Sequence, residues 1–196
     1  MERTITRGDP ELANPAALGL GGFGLSTILL QLHNLGLIEG TMPIVYGFFW
    51  GGMAQIMAAL IDARRGDTFG LTAFGSYGLF WIGLGFAFFL QWMGLVKLDP
   101  AGMAWLFVCW GIFTGYMTIG TLRASYVLLF VFSSLTVLFF LLAATFFGAI
   151  PAVVPGIEGL FCGAAAAYGS AATVVNAKYG RTVFPMGVLP RPAKHS

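Results

Sequence analysis

The chain has 196 residues, of which 58% are apolar and only 9% charged, with a formal net charge of +2 and a mean hydropathy of +0.84. Soluble domains carry about 25% charged residues, so too little polar surface is available for a water-facing fold, and disorder, nucleic-acid binding and a soluble enzyme are excluded. A net charge this small implies no polyanionic partner.

A helix crosses a bilayer with about 20 mainly apolar residues, and six stretches qualify. In chain order they are Ala17–Leu37, Pro43–Ile61, Leu71–Met93, Met103–Leu122, Ser125–Phe147 and Val153–Val175. They predict an all-α membrane protein: a six-helix transmembrane domain over residues 17–176, an N-terminal segment 1–16 and a C-terminal tail 177–196. Short connections fit one antiparallel bundle. Arg3, Arg7, Arg64, Arg65, Arg123, Lys178, Arg181, Arg191 and Lys194 fall on one side of such a bundle, and Lys97 alone on the other. Positive-inside bias then places both termini in the cytoplasm. Residues 1–11 have no apolar core, so a cleavable signal peptide is not expected and the first span serves as the insertion signal. Multi-pass insertion in a bacterial or archaeal cell membrane, with lipid as the surrounding partner, is the expectation.

Asn14 and Pro15 suit the start of the first span, and Asp67 or Thr68 the start of the third. Helix N-termini at the cytoplasmic mouth carry partial positive charge and favour anions. Glycine pairs at i, i+4, Gly47/Gly51, Gly111/Gly115 and Gly159/Gly163, allow close helix approach within the protomer or between protomers. Cys109 and Cys162 lie in apolar runs, which suits buried thiols.

Polar residues inside the spans must face a partner or a wet path. Ser26, Thr27, Gln31, His33 and Asn34 lie in the first span, Gln55 in the second, and Thr72, Ser76 and Tyr77 in the third. Ser133, Ser134 and Thr136 occupy the fifth, with Thr173 and Asn176 at the end of the sixth. They concentrate on the odd-numbered helices and suggest a lining. A loose similarity among Gly21–Leu30, Phe69–Gly78 and Phe130–Phe139, each pairing a hydroxyl with a bulky apolar neighbour, points to the same three helices around one axis. Glu158 is the only acid at membrane depth and reads as a snorkelling or mouth-facing carboxylate. No HExxH, paired glutamates or Cys/His cluster is present, so neither catalytic residues, nor a metal, nor a cofactor is expected.

Asn14-Pro15-Ala16-Ala17-Leu18-Gly19-Leu20 resembles the NPAPLGL signature of the acetate/succinate transporter family, the SatP-like or YaaH-type membrane proteins. The resemblance continues through Leu32-His33-Asn34, Thr68–Phe74, Ser134–Leu138 and Gly180-Arg181-Thr182-Val183. It implies a pore within each protomer, a homo-hexamer, and a hydrophobic constriction made by Phe23, Tyr77 and Leu135, with Ala166 facing that ring from the sixth helix. Three positions depart from the family: Ala17 replaces a proline, Gln31 a shorter Asn, and Thr173 a Glu.

The expected function is passage of small monocarboxylates, acetate foremost and succinate second, channel-like or proton-linked. Asn14, Thr27, Gln31, His33, Asn34, Gln55, Thr72, Ser76, Thr136 and Asn176 are the expected pore-lining polar residues. The Tyr77 hydroxyl is expected to hand the carboxylate across the neck. A sensor or scaffold bundle without a solute path, and a channel for another small solute, stay open as alternatives.

Overall fold

Six helices result, three of them started by a side-chain cap in the connection before them. The computed structural model describes residues 12–187 and 189. Its helices are α1 (Ala16–Asn34), α2 (Thr41–Arg65), α3 (Thr68–Trp92), α4 (Pro100–Thr121), α5 (Tyr126–Phe146) and α6 (Val153–Tyr179), each long and apolar enough to cross a membrane. No strand occurs among the described residues. Glu2, Arg3, Arg7, Asp9, Glu11, Arg191, Lys194 and His195 lie outside them.

Asp67 caps α3 by accepting from the Gly70 N–H at 3.0 Å. Asp99 precedes Pro100 and accepts from Ala101 and Gly102, and Ser125 accepts from Leu128. In each case a short polar side chain satisfies an N–H that the first helical turn leaves unpaired. Asn14 acts one step earlier than expected: it accepts from Ala16 at 3.0 Å, while the Pro15 carbonyl receives the Gly19 N–H. Gly66, at φ +74°, takes the left-handed conformation that ends α2 and lets α3 begin two residues later.

The second helix is not regular. Gly47–Ala54 widens into a π-helical stretch, a geometry with i→i+5 bonds that sequence periodicity does not announce. Two carbonyls there gain side-chain donors: Ser26 Oγ reaches the Tyr46 carbonyl at 3.1 Å, and Gln55 Nε2 the Gly51 carbonyl at 2.7 Å. The Trp81 indole fills the hollow over Gly47 and Gly51, where an added Cβ would lie 2.8 and 2.9 Å from it.

The principal pairings are α1 with α6, α2 with α3, and α4 with α5. Gly24 and Gly163 set the first: a Cβ on Gly24 would stand 2.7 Å from the Gly163 carbonyl oxygen, and one on Gly163 would stand 2.9 Å from that of Gly24. Gly159 makes room for Gln31, and Gly111 for the Phe140 ring. All glycines of the three pairs except Gly115 are therefore occupied by packing within the protomer. Large apolar side chains such as Leu79, Phe86, Trp105, Ile112 and Phe161 cover the outside, as a surface in contact with acyl chains requires. Cys162 is buried, but Cys109 stands on this outer surface, contrary to the expectation of a buried thiol.

Candidate functional site

Residues three and four apart share one helix face, and on the odd-numbered helices one such face points inward. It carries Leu20, Phe23, Thr27 and Leu30 on α1, Ala73, Tyr77, Trp81 and Leu84 on α3, and Val131, Leu135, Leu138 and Leu142 on α5. These faces enclose three cavities. The first, about 400 Å³, opens at the end of the bundle that holds Leu12 and Gly66, between Asn14, Asp62, Arg65 and Asp67, with Gln55 on its wall. The second is a chamber of about 20 Å³ with Thr27, Gln31 and Trp81 among apolar neighbours. The third, about 210 Å³, lies at the opposite end beside His33 and Asn34.

Phe23, Tyr77 and Leu135 line both the first cavity and the chamber. They therefore form the wall between them, one residue from each odd helix. All three are buried. The Tyr77 ring is wedged by Phe23 (centroids 6.2 Å apart), Trp110 (5.7 Å), Phe113 (5.5 Å) and Phe132 (6.0 Å). Its hydroxyl donates to Thr114 Oγ1 at 2.9 Å, and Thr114 in turn donates to the Trp110 carbonyl at 2.8 Å. The single hydroxyl hydrogen is thus committed to α4. Tyr77 offers the neck its ring, and the expected hand-over through its hydroxyl is corrected.

The chamber beyond is small and mostly apolar, with a few polar groups in its wall. Thr27 Oγ1 and Trp81 Nε1 are buried and have no hydrogen-bond partner among the described residues. Such groups cost free energy unless something pairs with them, and both can donate. Gln31 is fully buried and accepts from Asn34 Nδ2 at 2.8 Å. A single water needs roughly 10–15 Å³, so the chamber of about 20 Å³ accommodates water and is too small for a carboxylate as it stands.

At the mouth of the first cavity Asp62 is buried 4.0 Å from the Arg65 guanidinium, which also donates to the Leu12 and Ala13 carbonyls. With Asp67 the mouth holds two carboxylates and one guanidinium. Helix ends alone would make it positive, and these side chains reverse that reading. One free N–H of α3, that of Gly70, is answered by Asp67 instead of being left to a solute.

Several expected residues stand elsewhere. Thr72 and Ser76 line none of the three cavities, because each sits one residue, about 100° of helix rotation, from the face that carries Ala73 and Tyr77. Thr136 donates to the Phe132 carbonyl and lies 3.1 Å from Thr118 Oγ1, joining α5 to α4. Asn176 accepts from Val183 and Phe184 and donates to the Phe184 carbonyl, which ties the tail against α6 instead of facing a pore. Ala166 is fully buried in the same apolar cluster as the neck but lines none of the three cavities. Glu158 is not a mouth-facing carboxylate: Ser134 donates to it across the α5–α6 contact. Trp81 and Thr114 escaped the reading of the sequence, although Trp81 lies one helical turn beyond Tyr77 on the same face.

The chain matches the model of the GPR1/FUN34/yaaH family over residues 6–191. It is 46% identical over 185 residues to the Succinate-acetate/proton symporter SatP of Escherichia coli K12, covering 92% of this chain and 98% of that protein. It is 31% identical to Acetate permease A of Emericella nidulans, covering 92% of this chain and 67% of that one. Its fold superimposes on the bacterial acetate channel SatP with a TM-score of 0.86 and 47% identity, covering 90% of this chain and 100% of that one. With these matches and its six spanning helices, the chain is a multi-pass membrane protein that belongs to the GPR1/FUN34/yaaH family.

Proposed function

We propose that the chain conducts small monocarboxylates, acetate foremost and succinate second, through a pore in each protomer. The observation that carries this reading is the series of cavities divided by Phe23, Tyr77 and Leu135. An apolar neck excludes hydrated inorganic ions by dewetting. Acetate differs from them in having a methyl group that can slide along apolar walls while its carboxylate keeps its own partners.

Those partners are supplied beyond the neck by the Thr27 hydroxyl and the Trp81 indole N–H, with Gln31 beside them. A hydrogen bond to a charged group contributes about 1.5–3 kcal/mol, so two donors give about 3–6 kcal/mol by the same principle. That is far less than the desolvation cost of an isolated carboxylate in an apolar medium, which runs to tens of kcal/mol. Binding is accordingly weak and release fast, as conduction needs.

The same reading places the protein in the cell membrane of a bacterium or archaeon, both termini in the cytoplasm, as a homo-hexamer. The positive-inside distribution and the resemblance to SatP-like proteins support this. The relatives are described both as a proton symporter and as a channel, and one assay separates the two modes. Proteoliposomes carrying the purified chain are given labelled acetate, first at equal pH on both sides and then with an imposed proton gradient. Uptake that follows the acetate gradient alone marks a passive pore; accumulation only under the proton gradient marks a symporter. No uptake in either condition defeats the proposal.

A further inference from the structure

Four residues line both the chamber and the third cavity: Leu30, Leu84, Phe107 and Leu142. By the reasoning that identifies the first neck, they are the wall between those two spaces. They come from α1, α3, α4 and α5, and the last three are buried. Phe107 is held in place by Phe139 (centroids 6.2 Å apart, rings stacked) and Phe146 (5.4 Å). The wall contains no polar side chain. On its outer side the cavity regains polar groups at His33 and Asn34.

We infer that Leu30, Leu84, Phe107 and Leu142 form a second apolar constriction, which a solute must pass after the Phe23–Tyr77–Leu135 neck. The inference rests on the conduction reading above and deepens it. The chamber of about 20 Å³ is then an occluded compartment closed at both ends. Its two unpartnered donors, with the Gln31 amide beside them, are the polar stop between the barriers. A carboxylate enters when the first wall yields and leaves when the second does, so both walls set the size limit.

Two barriers in series make a specific kinetic prediction. Where the barriers are equal, widening either one alone raises flux by no more than about twofold, because the other still limits the rate. Widening both raises it by more than the product of the two single gains.

The test measures labelled acetate and succinate flux in proteoliposomes for the parent chain, Phe23→Ala, Leu84→Ala, Leu142→Ala, and the pairs Phe23→Ala/Leu84→Ala and Phe23→Ala/Leu142→Ala. Circular dichroism and a monodisperse elution profile establish that each variant is folded. A third pair, Phe23→Ala/Leu84→Phe, narrows the second wall and serves if Leu84→Ala or Leu142→Ala fails to fold. The expected result is a more than multiplicative gain in the alanine pairs and reduced flux in Phe23→Ala/Leu84→Phe relative to Phe23→Ala. If Phe23→Ala changes flux but no substitution at Leu84 or Leu142 does so in either background, the second constriction is refuted while the conduction reading stands. If the parent chain carries no acetate at all, both fall together.

Discussion

The bond from Tyr77 to Thr114 gives the sharpest energetic prediction, because its two ends are not equivalent. Thr114→Val keeps the shape of the side chain but leaves the Tyr77 hydroxyl buried without its acceptor. Stranding a buried polar group costs about 1–3 kcal/mol. Tyr77→Phe removes the hydroxyl itself, and Thr114 retains its bond to the Trp110 carbonyl, so the loss is about 0.5–1.5 kcal/mol. In the double variant both partners are apolar and nothing is stranded, which makes it more stable than Thr114→Val alone. Reversible SDS unfolding in mixed micelles measures all four corners of the cycle. Costs that simply add, within about 0.3–0.5 kcal/mol, would refute the bond as drawn. Acetate flux adds a second criterion: Tyr77→Phe conducts like the parent chain, since the lost hydroxyl faces α4 and not the neck. A large loss of flux in Tyr77→Phe would restore the idea that this hydroxyl carries the solute.

Two further predictions concern the frame around the pore. Gly24→Ala drives a Cβ to 2.6 Å from the Ala167 backbone nitrogen, where backbone cannot give way; a loss of about 1–3 kcal/mol or more follows in the same unfolding assay. Gly115→Ala meets only the Thr136 methyl at 3.9 Å and is tolerated, although the two glycines look alike in sequence. Asn176→Ala releases the backbone of Val183 and Phe184, so limited proteolysis cuts the tail sooner while acetate flux stays the same.

The spans were legible because bilayer thickness imposes a length that hydropathy reveals directly. The ends were less so: α3 begins at Thr68, three residues before the expected Leu71, because Asp67 supplies a cap outside the apolar run. The inward face shared by the odd-numbered helices was also legible, and the family motifs led to Phe23, Tyr77 and Leu135, which lie between the first cavity and the chamber. Which polar side chains face the axis was not. In a bilayer the outer face of a helix is as apolar as the inner one, so the sequence shows little contrast around the helix and Thr72, Ser76 and Thr136 read the same as Thr27. Their true faces follow only from counting turns relative to Phe23, Tyr77 and Leu135. Asn176 was misread for another reason. Its partners, Val183 and Phe184, lie beyond the helix in a tail whose fold-back no periodicity signals. The widened stretch in α2 likewise depends on Trp81 and Ser26 from neighbouring helices.

Selectivity at the neck tests the central claim most directly. Succinate and acetate uptake are compared in proteoliposomes containing the parent chain, Phe23→Ala or Leu135→Ala, at equal pH on both sides. The account predicts that removing either bulky side chain raises the ratio of succinate to acetate uptake, because the wall between the first cavity and the chamber is widened. An unchanged ratio in both folded variants would contradict it.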